Sequence, residues 1–368
     1  MQISNIVISG YYGFNNAGDE AMLFSILRSL KKEYPEAGIT VISGNPKNTT
    51  DSFNVKSIFR FKMVSIFKEL MKSQLLISGG GSLLQDVTSS KSILYYLSII
   101  LIGILCKCKV FLYAQGIGPV KNRFTKFFLK WCLLHVDGIT VRDPESYKFL
   151  KNLGIKKKLF LTADAVLSLE PVLLDKGSAI LSAKKVDLKA KKIGICVRNW
   201  NNSDNWIKQF NILLKKLKDY QIIFIPMQYP EDFNIGHKID NLDCKNIFHL
   251  DRNYTSEELM SIIGNMDLLI GVRLHALIFA TIMKVPVIGI SYDPKIDNFL
   301  KSIKENSIIK LSNFNAEEIY SKIIKKLRNK NDYNIEILNS LNQKANLTVK
   351  LLKLVTSERG LPNEHTNL

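Results

Sequence analysis

The most constraining feature of the sequence is a series of short apolar runs, each ending in glycine or a polar residue. In the first half these runs are NIVISG (5–10), GITVISG (38–44), QLLISGGG (74–81), KVFLYAQGIGP (109–119), GITVRDPES (138–146) and KLFLTADAV (158–166). Apolar runs without polar alternation are typical of strands buried on both faces of a parallel sheet. Between the first two runs, DEAMLFSILRSLKKEY (19–34) has the apolar spacing of an amphipathic helix. The pattern therefore predicts βαβ units with right-handed crossovers.

A second series of the same kind follows a Lys-rich, weakly periodic stretch. Its strand-like runs are KIGICVRNW (192–200), QIIFIPMQ (221–228), NIFHL (246–250), the start of DLLIGVRLHALIFATIMKV (267–285), and PVIGISYDP (286–294). We predict an α/β protein with two Rossmann-like, doubly wound parallel-sheet domains. The expected boundaries are 1–170 for the N-terminal domain, 171–191 for a linker, 192–312 for the C-terminal domain, 313–355 for C-terminal helices and 356–368 for a frayed tail.

Three glycine-bearing turns follow predicted strands of the first half. They are GYYGFNNAGDEA (10–21), SGGGSLLQD (78–86) and AQGIGP (114–119). Open parallel sheets bind ligands beyond the carboxyl ends of their strands, and glycine allows a backbone to approach a ligand closely. The candidate ligand-binding residues in these turns are Asn16, Asp19, Glu20, Gly79, Gly80, Gly81, Gln85, Asp86, Gln115 and Gly116.

Each turn also has a purely structural interpretation. Asp19 and Glu20 would complement the dipole of the helix that they begin, and the triple glycine would form a tight turn rather than an oxyanion cradle. The turns contain neither GxGxxG nor GK[ST]. The sequence therefore lacks the dinucleotide fingerprint and the nucleotide P-loop.

Cationic side chains follow several predicted strands. Arg142 ends a strand of the first half, where it could bind an anion through its fork of donors or pair with Asp143. In the second half the polar and aromatic candidates after strands are Arg198, Trp200, Gln228 and Asp232. Trp200 could stack on a sugar ring or belong to the core.

GVRLHA (271–276) places Arg273 and His275 on either side of Leu274, and SYDPK places Lys295 after the next strand. A buried arginine needs an anion, and residues 268–292 contain no acid. We therefore predict that Arg273 binds an anionic substrate, with Leu274 beside it and His275 placed for proton transfer. The alternatives are a structural histidine and a solvated lysine.

Composition limits the class of protein. The formal net charge is +18, with 51 Lys and Arg against 33 Asp and Glu, which favours anionic partners or a simply lysine-rich surface.

The five cysteines form no CxxC pair, and the five histidines form no HExxH. We therefore expect neither a disulfide framework nor a bound metal. The cysteine pattern favours a protein of a reducing compartment. ILYYLSIILIGILC (93–106) is too short to span a bilayer and predicts a buried helix, with a helix lying in a membrane interface as the alternative. The N-terminus has no signal-peptide pattern.

Taken together, these motifs resemble the polysaccharide pyruvyl transferase family over roughly residues 5–310. The residues that carry the resemblance are GYYGFNNAGDEA, GGGSLLQD, QGIGP, VRDPES, MQYPED, GVRLHALI and YDPK; Ser82 stands where a fourth glycine is common. The family resembles GT-B glycosyltransferases, which implies a GT-B-like fold with a central cleft. The closest branch is similar to bacterial enzymes acting on a cell-wall polymer that anchors S-layer proteins.

The resemblance implies phosphoenolpyruvate as donor, a lipid-diphosphate-linked N-acetylmannosamine as acceptor and a 4,6-pyruvate ketal as product. Phosphoenolpyruvate is a co-substrate, and no cofactor or metal is expected. Arg142, His275 and Lys295, with Arg273 beside them, match positions that the family uses on the donor. A lipid-linked acceptor and the positive charge predict a cytoplasmic protein bound peripherally to the anionic inner face of the cell membrane. The alternatives are a GT-B glycosyltransferase using a sugar nucleotide and a non-catalytic binding protein; no nucleic-acid partner is expected.

Overall fold

A computed structural model describes residues 3–86, 90–198, 204–240, 245–306, 308–328 and 335–357. The chain forms two compact units. The first comprises Met1–Phe14, Asp19–Leu169 and Leu341–Leu368, and the second comprises Asn15–Gly18 and Glu170–Ser340. Each unit is a parallel β-sheet covered by helices, which is the two-domain α/β fold that the apolar runs predict.

Within the described residues, the first unit has an eight-stranded sheet in the order β3-β2-β1-β4-β6-β7-β8, with β5 paired to β6. The strands are β1 (Asn5–Ser9), β2 (Gly38–Ser43), β3 (Lys56–Phe59), β4 (Leu75–Ser78), β5 (Gly81–Leu84), β6 (Lys109–Ile117), β7 (Gly138–Val141) and β8 (Leu159–Leu161). All pairings are parallel; Ile8 of β1, for example, lies between Val41 of β2 and Ile77 of β4.

The helices of the first unit cover both faces of its sheet. They are α1 (Ala17–Glu33), α2 (Pro46–Phe53), α3 (Met63–Leu70), α4 (Ser90–Leu105), α5 (Arg123–Leu134) and α6 (Pro144–Asn152). Because alternate side chains of a strand point to opposite faces, Val7 packs in a core with residues of α3 to α6, whereas Ile6 and Ile8 pack with α1. The apolar run 93–106 lies in α4, whose Ile93, Leu97 and Ile100 are buried as predicted.

The second unit has a six-stranded parallel sheet, within the described residues, in the order β11-β10-β9-β12-β13-β14. Its strands are β9 (Lys192–Cys196), β10 (Gln221–Phe224), β11 (Ile247–His249), β12 (Leu268–Gly271), β13 (Val287–Ser291) and β14 (Ile308–Lys310). Its helices are α7 (Asp175–Ala183), α8 (Asp204–Lys216), α9 (Glu231–Ile239), α10 (Ser256–Gly264), α11 (Leu274–Ile282), α12 (Pro294–Ser302) and α13 (Ala316–Arg328). A capping box begins α10, where the side chains of Thr255 and Glu258 each accept a backbone N–H of the other residue.

Two segments differ from a simple division at the predicted linker. Residues 171–191 include α7, which packs on α10 of the second unit. That packing is close because residue 177 is glycine; its N–H donates to Ser261 Oγ at 2.8 Å, and a Cβ there would overlap the Ser261 backbone. The last described helix, α14 (Ile335–Thr356), returns to the first unit and adds Leu351, Leu352 and Val355 to the core on the α1 side of the sheet.

No helix among the described residues combines the length and the apolar character needed to cross a membrane.

Candidate active site

Four neighbouring strands of the second sheet carry the polar residues singled out in the sequence. Arg198 follows β9, Gln228 follows β10, Arg273 follows β12 and Lys295 follows β13. These strands are adjacent in the order β10-β9-β12-β13 and all run parallel. Their carboxyl ends therefore lie along one edge of the sheet, where open α/β sheets bind ligands.

Arg273 is held in place by a buried aspartate. It lies just before α11, and its Nε donates to Asp232 Oδ2 at 3.1 Å while its Nη2 donates to Asp232 Oδ1. Its Nη2 also donates to Gln228 Oε1 at 3.3 Å. Asp232 accepts two further hydrogen bonds at Oδ2, from the N–H groups of Met227 and Gln228. The resulting fork-to-fork ion pair fixes the guanidinium plane.

This pair changes the expectation for Arg273. The largely buried Arg273 is paired with Asp232, which lies outside the acid-free stretch 268–292. A substrate is therefore not the only anion that Arg273 binds. The Asp232 side chain is 1% exposed. Burial raises the pKa of Asp232 above its usual value, and the positive charge of Arg273 opposes that rise. Asp232, predicted to bind substrate, instead binds Arg273.

His275 lies in the first turn of α11, half-buried against a short segment from the beginning of the chain. This segment is Asn15–Gly18, which belongs to the second unit. Ala17 N donates to Met227 O at 2.8 Å, and Asn16 forms an antiparallel bridge with Gln228. A Cβ on Gly18 would overlap the imidazole of His275, lying 2.6 Å from Cγ and 2.9 Å from Cε1. Only glycine at residue 18 leaves room for the ring in this position.

Arg198 and Lys295 interact less strongly with neighbouring side chains than Arg273 does. Arg198 Nη1 donates to the hydroxyl of Tyr292, and its guanidinium lies 5.1 Å from the centroid of the same ring. Lys295 Nζ lies 3.3 Å from Asp293 Oδ2, and both side chains are about one third exposed. Asp293 also caps α12 by accepting from Lys295 N. Within the described part of the chain, neither cation is held by a buried carboxylate, unlike Arg273.

In the first unit, the triple glycine is required by packing. Gly79 lies against the phenol of Tyr12, and a Cβ on Gly80 would lie 2.6 Å from Met22 Sδ. Gly81 has φ +103, which favours glycine. Gly79 N donates to Ser9 O at 2.7 Å, so this N–H is already used within the sheet. The predicted oxyanion cradle therefore loses one of its donors.

Gln115 holds the same glycine turn in place through hydrogen bonds. It is fully buried, and its Nε2 donates to Ser78 Oγ at 2.7 Å and to Gly79 O at 2.9 Å. Its amide group therefore positions the glycine turn instead of lying open to a ligand. Gly116 makes room for Arg142, since a Cβ there would lie 3.3 Å from Arg142 Nε.

Arg142 has a buried partner of the same kind as Arg273. Its Nη1 donates to Asp164 Oδ2 at 2.6 Å, and the two side chains are only 7% and 6% exposed. Its Nη2 donates to Ser82 Oγ at 3.1 Å, at the surface. The alternative partner considered from sequence, Asp143, instead caps α6 by accepting from Ser146 N. The side chain of Arg142 is therefore almost fully buried, with Nη1 bound to Asp164 and Nη2 bound to the exposed Ser82.

Asp19 and Glu20 lie together at the start of α1. Glu20 Oε1 accepts from Gly13 N at 2.8 Å, and Asp19 Oδ1 lies where a Cβ on Gly81 would be 3.3 Å away. Burial raises the pKa of Glu20 from 4.5 to about 7; the Gly13 N–H opposes the rise, and the Asp19 charge adds to it. These two acids are therefore more than exposed first-turn residues, since one of them changes charge near neutral pH.

The remaining candidates are placed as follows. Asp86 accepts the N–H groups of Lys121 and Asn122, so it holds the loop before α5. Gln85 is half-buried directly after β5, and Leu274 is buried at the start of α11. Trp200 lies outside the described residues. Sequence reasoning missed Gly18, Asp164 and Tyr292; the acid of TADAV at the end of a predicted strand was the one available signal for Asp164.

Two parallel-sheet units with polar groups at the strand ends define a GT-B-like enzyme architecture. The UDP-GlcNAc 2-epimerase from Methanocaldococcus jannaschii matches with a TM-score of 0.69 at 15% identity, covering 95% of this chain and 99% of that one. The UDP-GlcNAc 2-epimerase from Neisseria meningitidis bound to UDP-GlcNAc matches with a TM-score of 0.59 at 12% identity, covering 95% and 98%. The Escherichia coli ADP-heptose lipopolysaccharide heptosyltransferase II matches with a TM-score of 0.54 at 13% identity, covering 89% and 99%. At these identities the matches establish the fold, which is GT-B-like as predicted.

The family follows from a different comparison. Residues 16–294 match the model of the polysaccharide pyruvyl transferase family, and the chain belongs to that family. It is therefore an enzyme whose reaction class is pyruvyl transfer to a polysaccharide. No curated protein matches the chain significantly.

Proposed function

We propose that the chain transfers a pyruvyl group from phosphoenolpyruvate to a sugar of a lipid-diphosphate-linked cell-wall precursor, forming a 4,6-ketal and releasing phosphate. The observation that carries the proposal is a row of basic side chains at one edge of the second sheet, where Arg198, Arg273, His275 and Lys295 follow adjacent parallel strands. Phosphoenolpyruvate carries a carboxylate and a phosphate on three carbons. Such a dense anion suits a cluster of this kind.

The groups in this row have different roles in the proposal. Lys295 and Arg198 bind the anionic groups of the donor, because their partners among the described residues are a partly exposed carboxylate and a phenol, respectively. Arg273 positions the site, because Asp232 already fills its fork. In the first unit, Arg142 is proposed to bind an anion through Nη2, where an oxygen of that anion would replace Ser82 Oγ.

His275 is the proposed general acid. Its proton passes to the methylene carbon of phosphoenolpyruvate, which becomes a methyl group and leaves the neighbouring carbon as an oxocarbenium ion. One acceptor hydroxyl attacks that carbon and loses its proton to His275. The carbon–oxygen bond to phosphate then breaks, and the second hydroxyl closes the ketal while its proton leaves with the phosphate. Protons and charges balance without a redox step.

N-acetylmannosamine as the acceptor sugar, and binding of the protein to the anionic inner face of the cell membrane, are the remaining parts of the proposal. The net charge of +18 supports such binding.

The direct test is a transfer assay. The protein would be incubated with phosphoenolpyruvate and synthetic lipid-diphosphate N-acetylmannosaminyl acceptors, and the acceptor mass and released phosphate would be measured. The expected result is a mass increase of one pyruvyl ketal with one phosphate per transfer, abolished in His275→Ala. Thermal protection by a UDP-sugar but not by phosphoenolpyruvate would favour the rival glycosyltransferase function. Near-normal turnover in His275→Ala would reject the assignment of the general acid.

A further inference from the structure

Two helices of the first unit present apolar side chains to solvent on their outer faces. On α5, Phe124 and Phe127 are 70% and 69% exposed, and Trp131 and Leu134 continue the same face. The spacing of these four residues is 3, 4 and 3, which is one stripe of an α-helix. The buried residues of α5, including Leu129 and Cys132, lie on the opposite side. The outer stripe therefore contributes nothing to the core of the unit.

Helix α3 repeats this arrangement. Val64, Phe67 and Met71 are exposed at a spacing of 3 and 4, while Ile66 and Leu70 are buried. Phe61, just before the helix, is 65% exposed and lies 5.0 Å from the Arg60 guanidinium. Helix α4 contacts both α3 and α5, and all three pack on the same face of the sheet. The two stripes thus belong to one helical layer.

The charge around these stripes is almost entirely positive. Between residues 56 and 136 the sequence has twelve Lys and Arg and two acids, Glu69 and Asp86. Glu69 is paired with Lys56 at 2.7 Å, and Asp86 accepts the backbone N–H groups of Lys121 and Asn122. Exposed basic residues flank the α5 stripe: Arg123, Lys126 and Lys130. Twelve cations against two acids leave this stretch with a formal charge of +10.

We infer that the outer faces of α3 and α5 form a membrane-binding surface that inserts its aromatic side chains between the headgroups of an anionic bilayer. Aromatic and aliphatic side chains flanked by Lys and Arg are the composition of helices that lie in the plane of a membrane interface. A second copy of the chain is a poorer occupant, because lysine is depleted in interface cores and two such basic faces repel each other. The inference deepens the proposed peripheral membrane association and rests on it, and it assigns that association to named residues.

The experiment is co-sedimentation of the full chain at low ionic strength. One set of vesicles is phosphatidylcholine alone, and the other contains about one third phosphatidylglycerol. The double variant Phe124→Ser/Phe127→Ser is expected to bind anionic vesicles at least about tenfold more weakly. Lys126→Ser and Lys130→Ser are each expected to weaken binding about fivefold, which corresponds to about 1 kcal/mol. Because these side chains are exposed, the thermal unfolding midpoint should be unchanged.

Matched controls come from the second unit. Leu173 is 81% exposed and Lys208 is exposed on α8, so Leu173→Ser and Lys208→Ser remove the same kinds of group outside the surface. Both controls should bind vesicles like the unchanged protein. Trp131 gives an independent readout, since its fluorescence should shift to the blue on anionic vesicles and the shift should be absent in Trp131→Phe.

The outcomes separate the surface from the reaction. Equal binding to both kinds of vesicle, or to neither, would overturn the inference together with the peripheral association. Wild-type binding by the α5 variants would overturn the surface assignment alone. Conversion of a dimer into a monomer by those variants, without vesicle binding, would assign the face to a second copy. A failure of phosphoenolpyruvate as donor would leave the vesicle results unchanged.

Discussion

Gly18→Ala tests whether the position of the His275 ring controls the reaction. A Cβ on residue 18 would lie 2.6 Å from Cγ and 2.9 Å from Cε1 of the imidazole, whereas ordinary van der Waals contact begins at 3.4 Å. The ring must therefore move by about 1 Å, and a displacement of that size in a catalytic group costs roughly 100-fold in rate. We expect kcat for transfer from phosphoenolpyruvate to fall by about that factor.

Two effects of the substitution on stability oppose each other. Residue 18 lies in the first turn of α1, where alanine is favoured over glycine by at most about 1 kcal/mol, whereas the overlap with the His275 ring costs stability. A variant that loses activity while its unfolding midpoint changes little would therefore indicate displacement of the ring rather than loss of the fold. The assay is phosphate release from phosphoenolpyruvate with a soluble acceptor sugar, accompanied by thermal unfolding of the same samples.

Gly236→Ala is the matched control. Gly236 is also a helical glycine beside a histidine, but its Cβ would lie 3.3 Å from Nδ1 of His249, so only a small adjustment is needed. This variant should retain the turnover of the unchanged enzyme. Full turnover in Gly18→Ala would refute the reasoning, because it would mean that His275 works equally well from a displaced position or does not take part.

Three further predictions concern charged side chains. Glu20→Gln removes the buried charge but keeps an acceptor for the Gly13 N–H. In the unchanged protein, the folded state binds the Glu20 proton more tightly than the unfolded state does. The free energy of unfolding of that protein therefore falls as pH rises from about 4.5 to about 7. The variant should therefore gain up to about 3 kcal/mol of unfolding free energy above pH 7 and little at pH 4, and a gain independent of pH in urea titrations would contradict the assignment. Asp232→Ala leaves the Arg273 guanidinium without its carboxylate and should destabilise the protein by about 3–5 kcal/mol, measured by urea unfolding. Lys295→Ala removes an ion pair that is about one third exposed, so the free energy of unfolding should change by less than about 1 kcal/mol. The same variant should lower kcat/KM for phosphoenolpyruvate about 10- to 100-fold. An unchanged kcat/KM would show that Lys295 does not bind the donor.

The sequence predicts the central strands well because their apolar runs have no polar interruption. Strands β1, β2, β4 and β6 fall inside the predicted runs, since each is buried between neighbours on both sides. It misses β3 and β14, which lie at sheet edges and contain lysine. An edge strand needs no continuous apolar run, so a search for such runs finds some edge strands, such as β8 and β11, and misses others.

Helix α7 is missed for a related reason. Its sequence, DKGSAILSA, buries only Gly177 and Leu181, so it lacks the apolar stripe of an amphipathic helix. The contact of Gly177 with the Ser261 backbone holds it instead. Close packing of a glycine on a distant helix is a tertiary feature that no local pattern indicates.

The candidate site shows the same limit more sharply. The sequence shows which polar residues follow the predicted strands, and this locates Arg142, Arg273 and His275. Their partners are not readable: Asp164 is 22 residues from Arg142, and Asp232 is 41 residues from Arg273. An ion pair between residues that far apart depends on which strands become neighbours. Gly18 is a similar case, because its role follows from a ring more than 250 residues away in the chain.

These ion pairs separate the cations of the protein into two physical classes. A buried arginine bonded to a buried aspartate is neutral as a pair, and its desolvation cost offsets its Coulomb energy, so it fixes geometry more than it attracts a distant anion. Arg142 with Asp164, and Arg273 with Asp232, belong to this class. Arg198 and Lys295 contact a phenol and a partly exposed carboxylate, respectively, so more of their charge remains for a ligand. In the proposed reaction, recognition of a donor with two anionic groups therefore depends on Arg198 and Lys295, while Asp232 fixes Arg273 beside them in the second unit.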